Sequence, residues 1–171
     1  SDPLHQLLKQ AASEAFGAAF GGDEEIAVSL RPFGDLVFPY FSMGAVDSVN
    51  LFDLDELILF SFYWVHKARY RRAVDIGANL GLHSILLSRF ASKVRCYEPD
   101  PVHADELERR LALNGVDNVE LTRAAVSSED GECEFVRVKG NTTASHLLGA
   151  KPNPYGELER FPVKVTSIVP L

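Results

Sequence analysis

The chain has little of what marks several common functional classes. Its two cysteines, Cys96 and Cys133, lie 37 positions apart with no metal-ligand spacing around them. That speaks against a disulfide framework and a metal site, and fits a reduced, cytoplasmic compartment with two ordinary semi-buried thiols. No apolar run reaches the roughly 18 residues that cross a bilayer. The most apolar stretch, Leu57 to Val65, is nine residues long. The N-terminus lacks a charged-then-apolar leader pattern. Basic residues are also scarce: 17 Lys and Arg stand against 24 Asp and Glu, for a formal charge of −7. Arg69, Arg71 and Arg72 form only a modest patch, so neither nucleic acid nor a membrane is the expected partner.

What is present suits one globular domain. With 171 residues, 46% of them apolar, the chain can bury a real core. It is organised around Arg72 to Leu87: a short apolar run, a turn with glycines at 77 and 81, then apolar residues at helical spacing. Strand, glycine turn and helix in that order bring a helix N-terminus to the carboxyl end of a strand, where open α/β sheets bind ligands.

Before this stretch, Leu4 to Phe20 has the spacing of an amphipathic helix ended by Gly21 and Gly22. Glu25 to Tyr40 reads as two strands around Arg31 to Asp35, and the aromatic run Phe38-Pro39-Tyr40-Phe41 reads as core. Asp53 caps an expected helix running to about Lys67, whose apolar content on nearly every face predicts burial on several sides. After the turn, Leu82 to Phe90 is a crossover helix and Val94 to Tyr97 a strand. Asp100-Pro101 starts the next helix, which stops near Asn114-Gly115. Val119 to Val126 is a third strand, so two crossovers build a parallel sheet with the 94–98 strand between the other two. Cys133 to Val138 and Val163 to Val169 are later strands, separated by a polar loop from Gly140 to Gly156. Residues 1–52 form a helix and hairpin extension to a ligand-binding domain at 53–171.

The turn reads Asp75-x-Gly77-x-Asn79-x-Gly81. A dinucleotide fingerprint needs glycine where Asn79 stands and one more residue before the last glycine, so an NAD-dependent oxidoreductase is disfavoured. A P-loop is excluded because no Gly-Lys-Ser/Thr follows. Glu98 lies 21 residues beyond Gly77, at the end of the second strand, where a carboxylate can accept from both hydroxyls of a ribose. A ribose without a pyrophosphate points to S-adenosylmethionine. Val74 to Gly81 followed by Tyr97-Glu98-Pro99-Asp100 resembles the cofactor motifs of class I S-adenosylmethionine-dependent methyltransferases. With Leu113-Asn114-Gly115 and Ala124-Ala125-Val126-Ser127 in the same order, it resembles more narrowly the FkbM-type family, over roughly residues 50–169.

The resemblance implies a Rossmann-like fold of class I methyltransferase type. It implies that Asp75 and the backbone of Gly77, Ala78 and Asn79 hold the methionine end of the cofactor, with Gly81 closing the turn. Glu98 would bind the ribose, Pro99 would lie against the adenine, and Ala124 would sit near the adenine edge. The acceptor would be a hydroxyl on a small molecule or sugar. Methyl transfer needs orientation and at most a base, for which His83 by position, and His146 because its polar stretch from Gly140 resembles a family segment near the acceptor side, are candidates. His5 and His103 read as surface residues, and His66 as a core histidine. The family's later acidic strand has no counterpart before Leu171, so the chain reads as the cofactor-binding half of a longer or truncated protein. A non-catalytic nucleoside-binding module is the alternative. The strand at 72–77, apolar on both faces, is then an open edge through which the isolated chain is expected to self-associate.

Overall fold

The computed structural model describes residues 2–20 and 26–168. Helix α1 (Pro3–Ala19) is followed by a hairpin of β1 (Ala27–Leu30) and β2 (Gly34–Val37), then α2 (Leu54–His66). The parallel unit comprises β3 (Arg72–Ile76), α3 (Leu82–Ser88), β4 (Lys93–Tyr97), α4 (Pro101–Leu113) and β5 (Val119–Thr122). A second sheet comprises β6 (Ala125–Val126), β7 (Gly131–Val138), β8 (His146–Leu147) and β9 (Leu158–Thr166). Gly21, Gly22, Glu25 and Val169, to which element ends were assigned above, lie outside the described residues.

The parallel sheet has the order β3-β4-β5, with β4 in the middle as expected. This is a mixed α/β, Rossmann-like arrangement. Local chemistry sets its boundaries: Asp53 accepts from the N–H groups of Asp55 and Glu56, and Asp100 from that of Val102, so both helices start at side-chain caps. The strand expected at 119–126 is instead broken at Arg123-Ala124. Its last two residues, β6, leave the parallel sheet and pair with β9. The second sheet has the order β6-β9-β7-β8, and β9 begins five residues before the expected Val163 because Leu158 to Pro162 pair along β7.

One core joins the hairpin, α2, the glycine turn, α3 and α4 through Val28, Leu36, Phe38, Phe60, Leu80, Ile85, Leu86 and Leu107. Phe38 is fully buried under the Arg110 guanidinium, so the aromatic run is core as read. Several expectations of burial fail. The α2 helix buries only Phe60 and leaves Ile58, Leu59, Phe62 and Val65 exposed, because a single face packs inward. His103 is buried rather than superficial, covered by Thr142 of the loop after β7. Strand β3 is covered on one face only: Ala73 and Asp75 are half-buried, whereas Val74 and Ile76 are exposed. Beside β3, β4 is the only strand partner among the described residues. His5 and His66 are both half-buried, with the His66 ring against Phe62.

The loop between β7 and β8 is clasped by the segment preceding α2. Ala45 N–H donates to the Gly140 carbonyl at 2.7 Å, and Thr142 N–H to the Met43 carbonyl at 2.9 Å. This clasp sets a short 3₁₀ turn, Thr142–Ala144, above the carboxyl ends of β3 and β4.

Candidate functional site

Two cavities open on either side of the glycine turn, and they share Gly77, Asn79 and Thr143. The first, about 140 Å³, is walled by Glu98, Pro99, His103, Phe135 and Ser145. The second, about 270 Å³, is walled by Leu51, Glu56, Leu80, Leu82 and His83.

The turn itself is internally satisfied. Gly77 and Ala78 N–H groups donate to the Tyr97 carbonyl at 2.9 and 3.0 Å, and Gly81 N–H donates to the Ala78 carbonyl at 2.8 Å. Asn79, left-handed at φ 52°, donates its N–H to Glu98 Oε2 at 2.7 Å. Asparagine tolerates this conformation better than most side chains. With these donors spent, the turn is poorly equipped to cradle a pyrophosphate, which needs free N–H groups. It presents instead the bare Cα of Gly77 and the side chain of Asn79, whose buried Oδ1 has no hydrogen-bond partner.

The two glycines of the motif do different work. At Gly77 an added Cβ would meet nothing within 4 Å, so that space belongs to the cavities. At Gly81, φ +84°, it would lie 2.8 Å from Leu107 Cγ, so the absent side chain lets α3 start against α4. Asp75, half-buried, accepts from Ser84 Oγ at 2.6 Å and steadies the start of α3; it lines neither cavity. Ala124 is buried at the break between β5 and β6 and also lines neither. Of the residues singled out in the sequence, the structure gathers Gly77, Asn79, Glu98 and Pro99 at the first cavity, and Gly77, Ala78, Asn79 and His83 at the second.

Glu98 is only 5% exposed, and burial pushes its carboxyl up to about 7. Two backbone donors work against that burial: Asn79 N–H on Oε2, and Asp100 N–H on Oε1 at 2.9 Å. Each oxygen keeps a lone pair for a further donor. Behind it, Asp100 is 1% exposed. Burial alone would raise its carboxyl, but Arg137 holds it below the ordinary carboxylate range. That guanidinium grips it twice, Nε to Oδ2 at 2.7 Å and Nη2 to Oδ1 at 2.6 Å. His103 Nε2 lies 2.9 Å from Thr142 Oγ1, and burial lowers its imidazolium.

In the second cavity, His83 Nδ1 lies 3.1 Å from the Tyr63 hydroxyl, and Nε2 lies 3.0 Å from Glu56 Oε2. Glu56, Phe60 and Tyr63 follow the i, i+4, i+7 spacing of one face of α2, and the rings of Phe60 and Tyr63 flank His83. His146 is buried in β8 with Nδ1 3.1 Å from the Ala144 carbonyl, and lines neither cavity. Glu56, His103 and Thr143 had not been singled out for the site. Glu56 carried a readable signal, a charge on the inward stripe of an apolar helix. His103 and Thr143 carried none, since their partners lie far along the chain. Among the described residues no group of His, Cys, Asp and Glu could hold a metal, and no helix is long and apolar enough to cross a membrane.

No profile of a known family matches the chain. Over 76 residues it is 38% identical to "Methyltransferase sdnD" of Sordaria araneosa, covering 41% of this chain and 29% of that protein. The chain therefore spans less than a third of the relative's length. Among solved structures, a methyltransferase from Geobacter sulfurreducens aligns at 27% identity and TM-score 0.35, over 40% of this chain and 37% of its own. The SAM-dependent methyltransferase from Agrobacterium tumefaciens aligns at 10% identity and TM-score 0.44, over 61% of this chain and 34% of its own.

Proposed function

We propose that the chain binds S-adenosylmethionine across the two cavities and belongs to an enzyme that methylates a hydroxyl on a small molecule or sugar, as the FkbM-type resemblance implies. The observation that carries this reading is the buried Glu98 carboxylate. It stands at a cavity above the strand ends, with a free lone pair on each oxygen, beside a turn whose own donors are spent. The likeness to the Sordaria araneosa methyltransferase supports it.

In this reading Glu98 accepts from both ribose hydroxyls, and Pro99 and Phe135 form walls for the base. When bound, the cofactor supplies a methyl group on a positive sulfur, open to in-line displacement. The protein's part is to hold the acceptor in line and keep water out. Of the two candidate bases, His83 lines the second cavity, with Tyr63 at Nδ1 and Glu56 beside Nε2, and this favours it over His146 as the proton acceptor. The open edge of β3, with Val74 and Ile76 exposed, supports self-association of the isolated chain, which light scattering over a concentration series tests.

Calorimetry tests the central reading. S-adenosylmethionine should bind with one site per chain and NAD should not. Heat with NAD and none with S-adenosylmethionine would reverse the assignment. Transfer of a labelled methyl group to a panel of hydroxyl acceptors then tests the chemistry.

A further inference from the structure

Apart from His83, the polar side chains in the wall of the second cavity offer acceptors that no donor meets. Among the described residues, four buried side-chain nitrogen or oxygen atoms have no hydrogen-bond partner. Two of them are acceptors, Glu56 Oε2 and Asn79 Oδ1, and both residues line this cavity. Glu56 Oε2 is itself buried although its side chain is 31% exposed. The nearby His83 Nε2, at 3.0 Å, is not aligned to hydrogen-bond with it. The Thr143 hydroxyl donates to Asn141 Oδ1 at 2.6 Å, so it presents lone pairs too. The rest of the lining is largely apolar: Leu51, Leu80 and Leu82.

Unmatched buried acceptors are costly, and a ligand that brings donors there gains what the empty arrangement lacks. A carboxylate and an amide oxygen above an apolar trough fit a short aliphatic chain ending in an ammonium group. We infer that Glu56, with Asn79 Oδ1, forms the subsite for the ammonium of the cofactor's amino-acid end. This inference rests on the nucleoside reading of the first cavity. Asp75, the acidic residue of the motif itself, is tied to Ser84 and turned from both cavities, whereas Glu56 comes from a helix that the motif does not include.

The test compares three ligands on the wild-type chain and on Glu56→Gln. These are S-adenosylmethionine, S-adenosylhomocysteine (which keeps the ammonium but loses the sulfonium charge) and 5′-methylthioadenosine, which has neither amino acid nor charge. Calorimetry should show Glu56→Gln weakening the first two roughly 10- to 100-fold, the worth of one hydrogen bond to a charged group. Binding of 5′-methylthioadenosine should change less than about twofold. Equal effects on all three ligands, or none, would overturn the ammonium subsite and leave the nucleoside reading intact. Failure of the wild type to bind any of the three would overturn that reading and this one with it. Glu56→Asp keeps the charge one methylene short and guards against misfolding. It should melt with the wild type and weaken only the two ammonium ligands, and a matching loss of 5′-methylthioadenosine would count against the subsite.

Discussion

The two cavities beside Asn79 are built on opposite plans. In the first, the polar groups at its base answer one another: Glu98 is held by two N–H groups, Asp100 by Arg137, and His103 faces Thr142. In the second, two acceptors are left open and the walls are otherwise largely apolar. A site whose groups are already tied down is preorganised, and discriminates by shape and by the few lone pairs it keeps. A site with open acceptors discriminates by the donors a ligand brings. The two halves should therefore fail separately, except where one substitution undermines the turn they share.

Gly81→Ala is that exception and should have the largest effect. The new Cβ would sit in left-handed backbone and against Leu107 Cγ at 2.8 Å, for a loss of about 2–5 kcal/mol in urea unfolding. Ligand binding at both cavities should decline together. A variant as stable as the wild type would show that α3 and α4 can part without cost.

Glu98→Ala strikes the first cavity most directly, and it also releases the Asn79 N–H in the turn that the two cavities share. Cofactor affinity should fall by about 1.5–3 kcal/mol, the usual worth of hydrogen bonds to a charged group. An unchanged dissociation constant removes Glu98 from the site.

Acidity titrates the same cavity more gently. Because burial raises the Glu98 carboxyl to about 7, only about a tenth of it is ionised at pH 6 and about nine-tenths at pH 8. In the proposed reading ribose hydroxyls donate to the ionised form, so cofactor affinity should rise about tenfold over that interval, with a proton released on binding near neutrality. Calorimetry in two buffers of different ionisation enthalpy measures the release, and a flat profile would contradict it. The sign for the ligand-free fold is opposite. A raised carboxyl contributes stability that is full below about 4.5 and lost as pH rises through about 7. Asp100, held low by Arg137, contributes stability above its ordinary range that is lost only in stronger acid.

Tyr63→Phe should have the smallest effect. It removes one hydroxyl from His83 Nδ1 and should cost about 0.5–1.5 kcal/mol, read as slower methyl transfer. Binding of 5′-methylthioadenosine in the first cavity should stay as it was. Equal losses in both measurements would mean that the cavities are not separable at α2.

Much of this was legible in the chain. Apolar runs ending in glycine, or in Glu98-Pro99, gave the parallel strands, and Asp53, Asp100 and Pro101 gave the helix starts, because each depends on neighbours within a few positions. Glu98 could be placed by its distance from Gly77 because one βαβ unit fixes that geometry. The failures all lie where distant segments meet. His103 looks superficial until Thr142, 39 positions on, is laid over it. The apolar faces of α2 and β3 looked buried because composition cannot say how many sides of an element find a neighbour. Glu56 resembled a favourable first-turn acid, and α2 does use it so. Its place in the cavity wall showed in the sequence only as a charge on the inward stripe of an apolar helix.

Thr143 stands in the wall of both cavities, yet it rides on a turn outside the parallel sheet, clasped by Met43 and Ala45. In the proposed reading, the partition between the nucleoside end and the reacting end is thus carried by a separate loop. On that reading, rewriting residues 140–145 would change the acceptor while leaving the glycine turn untouched. The freedom has a limit. The neighbouring Thr142 faces His103 in the first cavity, so a change to this turn alters the walls of both cavities together.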